Sequence, residues 1–307
     1  MRVALLFPGQ GAQHVGMGKD WCEASSAARA TFELADRVLG FGLSAACWRE
    51  GEEVNRTDIA QPGIFTTSVA IVRALEERGW KRDAIELTAG LSLGEYTALW
   101  FAGSLSFEDG LRLVRLRGEA MQAASEQIPS TMLSLMGATE EQARALAGAA
   151  AAQGICQVAN LNAPGQVVLS GELAAITAAE GLAKDHGIRR TRRLVVAGGF
   201  HSECMRPAAR RLEAALRSVE IRAPRIDFLT NVTGDLAREP QQIRAQLADQ
   251  VCASVLWERS MRRAIELGAR EFCEPGPGSV LCNLLGKIDA TVATRSYATP
   301  QDAVAGA

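Results

Sequence analysis

Short, continuous apolar runs alternate along the chain with longer stretches whose apolar residues recur at helical intervals. "VALLF", residues 3–7, is apolar throughout and ends in "PGQGAQ". Such a run, bounded by turn residues, predicts a strand buried on both faces. Residues 20–39, 57–80 and 107–127 predict helices. In the second of these, Pro62 is expected in the first turn, where a missing N–H costs nothing. "IELTAGLS", residues 85–92, predicts another buried strand running into a turn, and "GEYTALWFAG", residues 94–103, a helix that starts at once.

The pattern shortens after residue 128. "STMLSLMGA" reads as a strand, and residues 139–154 as a helix opened by Thr139 and closed by Gly154. Residues 155–172 read as two strands joined at Asn162-Ala163-Pro164-Gly165. A helix over 173–187, closed by Gly187, and a strand over 188–200 complete the order β-α-β-β-α-β, the split βαβ or ferredoxin-like arrangement. A helix from His201 to Val219 and strands in "IDFLTNVTG" and "AREFCEPGPGSVL" return the chain to its first style. The expected fold class is therefore α/β. Residues 1–128 and 198–307 form a main domain with a short, mainly parallel sheet, and 129–197 form a ferredoxin-like insert.

Composition narrows the function. With 307 residues and 48% hydrophobic content, the chain can bury a large core. The net charge of −2, with no basic block beyond short Arg clusters, argues against nucleic acid as a partner. Seven scattered Cys without a C-x-x-C read as reduced thiols, and three His lack ligand spacing, so no metal is expected. The N-terminal apolar run is too short for a signal peptide or a membrane span. The expectation is a soluble cytoplasmic protein with no membrane association.

"GLSLG", residues 90–94, places Ser92 between two glycines, at a predicted strand-turn-helix junction. That is the setting of a nucleophile elbow, which lifts a hydroxyl above the sheet edge and aims the N–H of Leu93 at a bound carbonyl. The competing reading is a Gly-rich turn with Ser92 as a helix cap. A serine nucleophile needs a base. Of His14, His186 and His201, only His201 stands at a strand-helix junction, where α/β sites assemble. It could equally be a helix-terminal residue without chemistry.

At this point several blocks resemble one family, the malonyl-CoA:acyl carrier protein transacylases and the related acyltransferase domains of polyketide synthases. They are "FPGQGAQHVGMG", "AQPGIFTTSVA", "GLSLGEYTAL", "RLRGEAMQ", "GGFHSECM", "TNVTG", "LADQVCASVLWERSM" and "EPGPGSVL", in that order and almost end to end. The resemblance implies an α/β-hydrolase-like main domain. It implies that Ser92 becomes an O-acyl ester and that His201 moves the proton. A backbone carbonyl at Gln250, rather than an acid, would hold the imidazole. The N–H groups of Gln10 and Leu93 would form the oxyanion hole, although "PGQG" by itself is an ordinary turn.

Arg117, which by periodicity alone is a packing or solvated side chain, would grip the free malonyl carboxylate, with Gln61 in the same pocket. Phe200 stands where malonyl users of the family carry Phe, leaving little room for an α-methyl. Leu91 departs from the family's usual His before the serine and puts acyl selectivity in question. No bound cofactor is implied. A coenzyme A thioester is the donor, the phosphopantetheine arm of an acyl carrier protein the acceptor, and a monomer the family's habit. Lys184, Arg189, Arg190, Arg192 and Arg193 could meet an acidic carrier, or be merely a solvated edge. The alternatives are an acyl-thioester hydrolase on the same scaffold, a transferase for another carboxyacyl unit, and an inactive docking module. Fatty acid and polyketide synthesis are both open.

Overall fold

The computed structural model describes residues 2–303. Among these residues, nine strands fall into two sheets. β1 (Arg2–Phe7) and β2 (Ile85–Gly90) come first. β3 (Ser130–Met136), β4 (Cys156–Ala163), β5 (Gln166–Glu172) and β6 (Arg190–Arg193) follow. β7 (Asp227–Leu229), β8 (Ala269–Glu274) and β9 (Ala293–Ser296) close the series. The larger sheet has the order β7-β2-β1-β8-β9 and is parallel throughout. The smaller one, β4-β5-β3-β6, is antiparallel.

Helices α1 (Lys19–Ala24), α2 (Ser26–Leu39), α3 (Leu43–Trp48) and α4 (Thr57–Glu77) connect β1 to β2. α5 (Gly94–Phe101) and α6 (Phe107–Gln127) lead to the small sheet, which α7 (Glu140–Ala150) and α8 (Leu173–Leu182) cover. α9 (Arg206–Leu216), α10 (Pro240–Gln250), α11 (Trp257–Glu266) and α12 (Val280–Ile288) complete the main body.

The apolar run of β1 is buried on both faces because each face has its own core. Leu5 and Phe7 join the core under α4, α5 and α6; Ala4 and Leu6 join a second core with Trp257, Phe272, Leu281 and Leu285. A third core lies between the small sheet and α7 and α8. α7 opens with the expected Thr139 cap, which is a full capping box with Gln142.

Several boundaries differ from the sequence expectation, each for a physical reason. Pro62 lies in the second turn of α4, not the first. Its missing N–H leaves the Asp58 carbonyl free, and the Arg115 guanidinium donates to that oxygen instead. The strand expected over 188–200 is only Arg190–Arg193, paired with Leu133–Met136; Leu194 still donates to the Met132 carbonyl (3.0 Å), and the chain then leaves the sheet edge. The helix expected from His201 begins at Arg206, after a 3-10 turn over Glu203–Met205.

Candidate active site

Local sterics set the serine. β2 ends at Gly90, and Ser92 has φ 54°, left-handed backbone that a side-chain-bearing residue adopts only when its surroundings impose it. A Cβ on Gly90 would lie 2.0 Å from the Gly94 carbonyl carbon and oxygen, and a Cβ on Gly94 would lie 2.0 Å from the Phe7 carbonyl oxygen. The turn can therefore fold back against itself and against β1 only with glycine at both places. Asn231 ties it shut: its Oδ1 accepts from the Ser92 N–H (2.6 Å), and its Nδ2 donates to the Gly90 carbonyl (2.7 Å).

His201 carries the same signature, φ 59°, and is 5% exposed. Its Nε2 is 2.8 Å from Ser92 Oγ and its Nδ1 is 2.8 Å from the Gln250 backbone oxygen. A carbonyl can only accept, so the proton sits on Nδ1 and the Nε2 lone pair faces the hydroxyl. Burial, reinforced by the neighbouring Arg117 charge, lowers the imidazole to about 4. It is neutral at pH 7, the form a base requires.

Arg117 comes from α6 and is 1% exposed. Its Nη1 donates to Gln61 Oε1 (2.8 Å), and its Nη2 to Ser92 Oγ and to Gln250 Oε1 (both 3.0 Å). Burial lowers its pKa from the ordinary arginine value. Arg115, two residues back, faces the other way, toward Asp58 and Glu119.

These groups meet at a cavity of about 810 Å³, whose lining includes Gln10, Leu91, Ser92, Arg117, Phe200 and His201. Gln61, Leu93 and Gln250 lie behind that surface, each wholly buried. Gln61 was expected in the pocket itself. It instead backs Arg117, and its Nε2 reaches Gln10 Oε1 at 3.4 Å. Leu91 spans the cavity and the second core, packing with the group that includes Leu281 and Leu285. A larger cavity of about 1070 Å³ lies against the other face of β4 and α11 and holds none of the candidate residues.

Two site residues went unassigned in the sequence. Glu95, 1% exposed, accepts from the Asn231 backbone N–H (3.0 Å) and from Gln250 Nε2. Burial raises its carboxyl to about 7, while the donors from Asn231 and Gln250 and the Arg117 charge pull the other way. Asn231 is the other. Both stand inside blocks already quoted, "GLSLGEYTAL" and "TNVTG", so the signal was present, but their roles depend on each other across 136 positions.

A neutral imidazole on a strained serine, with a guanidinium at the same oxygen, can carry a carboxyacyl group as a serine ester. That class of chemistry agrees with the comparisons. Residues 4–290 match the acyl transferase domain model. The malonyl CoA-acyl carrier protein transacylase of Bacillus subtilis is 38% identical over 302 residues, 98% of this chain and 94% of its own. The crystal structure of the acyl-carrier-protein S-malonyltransferase of Bartonella henselae superposes with a TM-score of 0.95 at 35% identity, covering 99% of this chain and 98% of that one. A malonyl-transacylase solved with its type II PKS acyl-carrier protein gives 0.94 at 34% identity, covering 99% and 98%. The chain belongs to the acyl transferase family, in the branch of the malonyl-CoA:acyl carrier protein transacylases.

Among the described residues, no helix is long and apolar enough to cross a membrane, and no group of His, Cys, Asp or Glu could hold a metal.

Proposed function

We propose that this chain moves a malonyl group from coenzyme A to the phosphopantetheine thiol of an acyl carrier protein by way of O-malonyl-Ser92. Ser92 Oγ attacks the thioester carbonyl while His201 Nε2 takes its proton. The C–S bond breaks, and the imidazolium returns that proton to the departing thiolate. In the second half-reaction the carrier's thiol gives its proton to Nε2, attacks the ester, and Ser92 recovers its hydrogen. The Gln250 carbonyl holds the ring through both halves. It stabilises imidazolium less than a carboxylate would, and a thiolate leaving group tolerates that. The N–H groups of Gln10 and Leu93 are assigned to the oxyanion.

One observation carries the malonyl assignment: a buried guanidinium within 3.0 Å of the serine oxygen. A carboxylate paired there has its acyl carbon within one methylene's reach of Oγ. An acetyl group would leave the buried guanidinium with its two amide partners but no charged one, and so forgo the ion pair that a malonyl carboxylate gains there. Phe200 crowds the α-carbon against a methyl branch, and Gln61 keeps Arg117 aimed.

We assign residues 1–128 and 198–307 to a hydrolase-like catalytic domain and 129–197 to a ferredoxin-like insert. The strand order β4-β5-β3-β6 with α7 and α8 on one face supports the latter. We further infer a cytoplasmic monomer with no resident cofactor, no nucleic-acid partner and no membrane association.

Incubation with malonyl-CoA alone, followed by intact-protein mass measurement, tests the core of the proposal. The expected result is one malonyl mass added to the wild type and none to Ser92→Ala. Continuous release of free malonate instead would make the protein a hydrolase.

A further inference from the structure

The site contains a carboxylate that the transfer chemistry above does not use. Glu95 stands in the first turn of α5, three residues after the nucleophile. Each of its oxygens has a different donor. Oε1 takes the Asn231 backbone N–H, and Asn231 in turn holds both sides of the serine turn. Oε2 takes Gln250 Nε2, which also donates to the Ser92 carbonyl at 2.9 Å. The other end of that amide, Oε1, takes Arg117 Nη2. The Gln250 side chain is thus suspended between a guanidinium and a carboxylate, so its amide has one possible orientation. Its own backbone carbonyl is the group that fixes the His201 ring.

The consequence is a chain of dependence. Glu95 fixes Asn231, which fixes the turn at Ser92. Glu95 also fixes Gln250, which fixes the imidazole on one side and the guanidinium on the other. We propose that Glu95 is the positioning residue of this site, holding nucleophile, base and carboxylate clamp in one register through Asn231 and Gln250. This rests on Ser92 and His201 being the reacting pair.

The proposal has a pH signature. An ionised Glu95 accepts at both oxygens. Adding a proton removes the charge that strengthens both links, makes one oxygen a weaker acceptor, and introduces an O–H that needs an acceptor of its own in a buried site, so the hold on Asn231 and Gln250 loosens. Burial sets that event at about 7. The titratable groups around it do not titrate there. Arg117, across the amide from α6, stays charged. Tyr96, its neighbour on α5, is raised above the ordinary phenol value by burial. His201 is at about 4. The acid limb of malonyl transfer onto the enzyme should therefore follow Glu95 rather than the base.

The test follows malonyl-enzyme formation from malonyl-N-acetylcysteamine, a donor without phosphate groups, between pH 5.5 and 8.5. In the wild type the rate should fall with a midpoint near 7 as pH is lowered. Glu95→Gln should lower kcat by about 10–100-fold at pH 8, as the loss of an outer-shell partner does. It should leave KM within about two-fold and abolish the limb. Glu95→Asp should keep the limb at reduced rate. A Glu95→Gln enzyme within about two-fold of wild type, or one slower but with the limb in place, overturns the proposal. If Glu95→Gln does not fold, the wild-type profile decides, because a rate flat from pH 8 to 5.5 also overturns it. Failure of the Ser92–His201 reading is a separate result, a malonyl adduct that survives in Ser92→Ala.

Discussion

Arg117 in the free protein donates to the very oxygen that has to attack. An incoming carboxylate must compete for that guanidinium, and an acyl group without one gains nothing by displacing it. Arg117→Ala should cut kcat/KM for malonyl-CoA by at least about 10²-fold, the scale of a broken buried ion pair. The ratio of acetyl-CoA to malonyl-CoA turnover should rise, which a parallel assay with both thioesters reads directly. His201 carries a pH consequence for stability. Its folded pKa, about 4, lies below its unfolded value of 6.5. The neutral ring therefore contributes stability that is present above pH 6.5 and is lost as pH falls toward 4. Between pH 7 and 5 the loss from this group is on the order of 2 kcal/mol. Urea melts should show His201→Asn losing less stability than wild type over that interval. Ser92 and His201 stood out in the sequence as candidates because each sits where its neighbours announce a strand-to-helix junction, whereas Arg117 reads locally as an ordinary helix arginine and was marked only through the resemblance of its block to the transacylases. Glu95 was not, since a Glu in the first turn of a helix is common and nothing local reveals that Asn231 and Gln250 converge on it.

Among the elements, the serine turn has no room for a side chain on its glycines. A Cβ on Gly94 would meet the Phe7 carbonyl at 2.0 Å, and backbone on β1 cannot rotate aside as a side chain can. Gly94→Ala should cost more than about 3 kcal/mol, the upper range for overpacking. Thermal melting with parallel malonylation should show both stability and activity lost. The parallel strands and the small α/β unit were legible because continuous apolar runs and capped helices announce themselves locally. α10, α11 and α12 were not marked as helices. α10 has only a weak apolar period, α11 carries a clear one in Trp257, Met261, Ala264 and Ile265 that was passed over, and α12 follows "EPGPGS", which reads as an extension of β8. Its start is set from a distance by Glu274, whose carboxylate accepts the N–H groups of Leu281 and Cys282. The end of the strand at Arg193 was equally hidden, since it depends on how far β6 pairs with β3 across the sheet.

At the level of the whole molecule, the two sheets are joined through the segment after α10. Val255 exchanges backbone hydrogen bonds with β4, donating to Ala159 (2.8 Å) and accepting from Leu161 (2.9 Å), while Leu256 donates to Asn231 (2.9 Å). The small sheet is thereby bonded to the same stretch that supplies the Gln250 carbonyl. On its free edge, Arg189, Arg190 and Arg192 are exposed and have no acidic partner among the described residues, whereas Arg193 pairs with Glu180. They lead into Leu194, Val195 and Val196 at the cavity. If an acidic carrier docks there, replacing the three arginines by Glu should raise KM for the carrier by about ten-fold or more, through lost electrostatic attraction. The rate with a small uncharged thiol acceptor should be unchanged, and an unaltered carrier KM would exclude this edge. The ring-orienting group at position 250 has a further peculiarity. All twenty residue types place the same main-chain oxygen there, so no codon change deletes it. An alanine scan would register only the amide and leave one member of the catalytic set invisible. Anyone wishing to swap the base's partner must reroute the polypeptide itself.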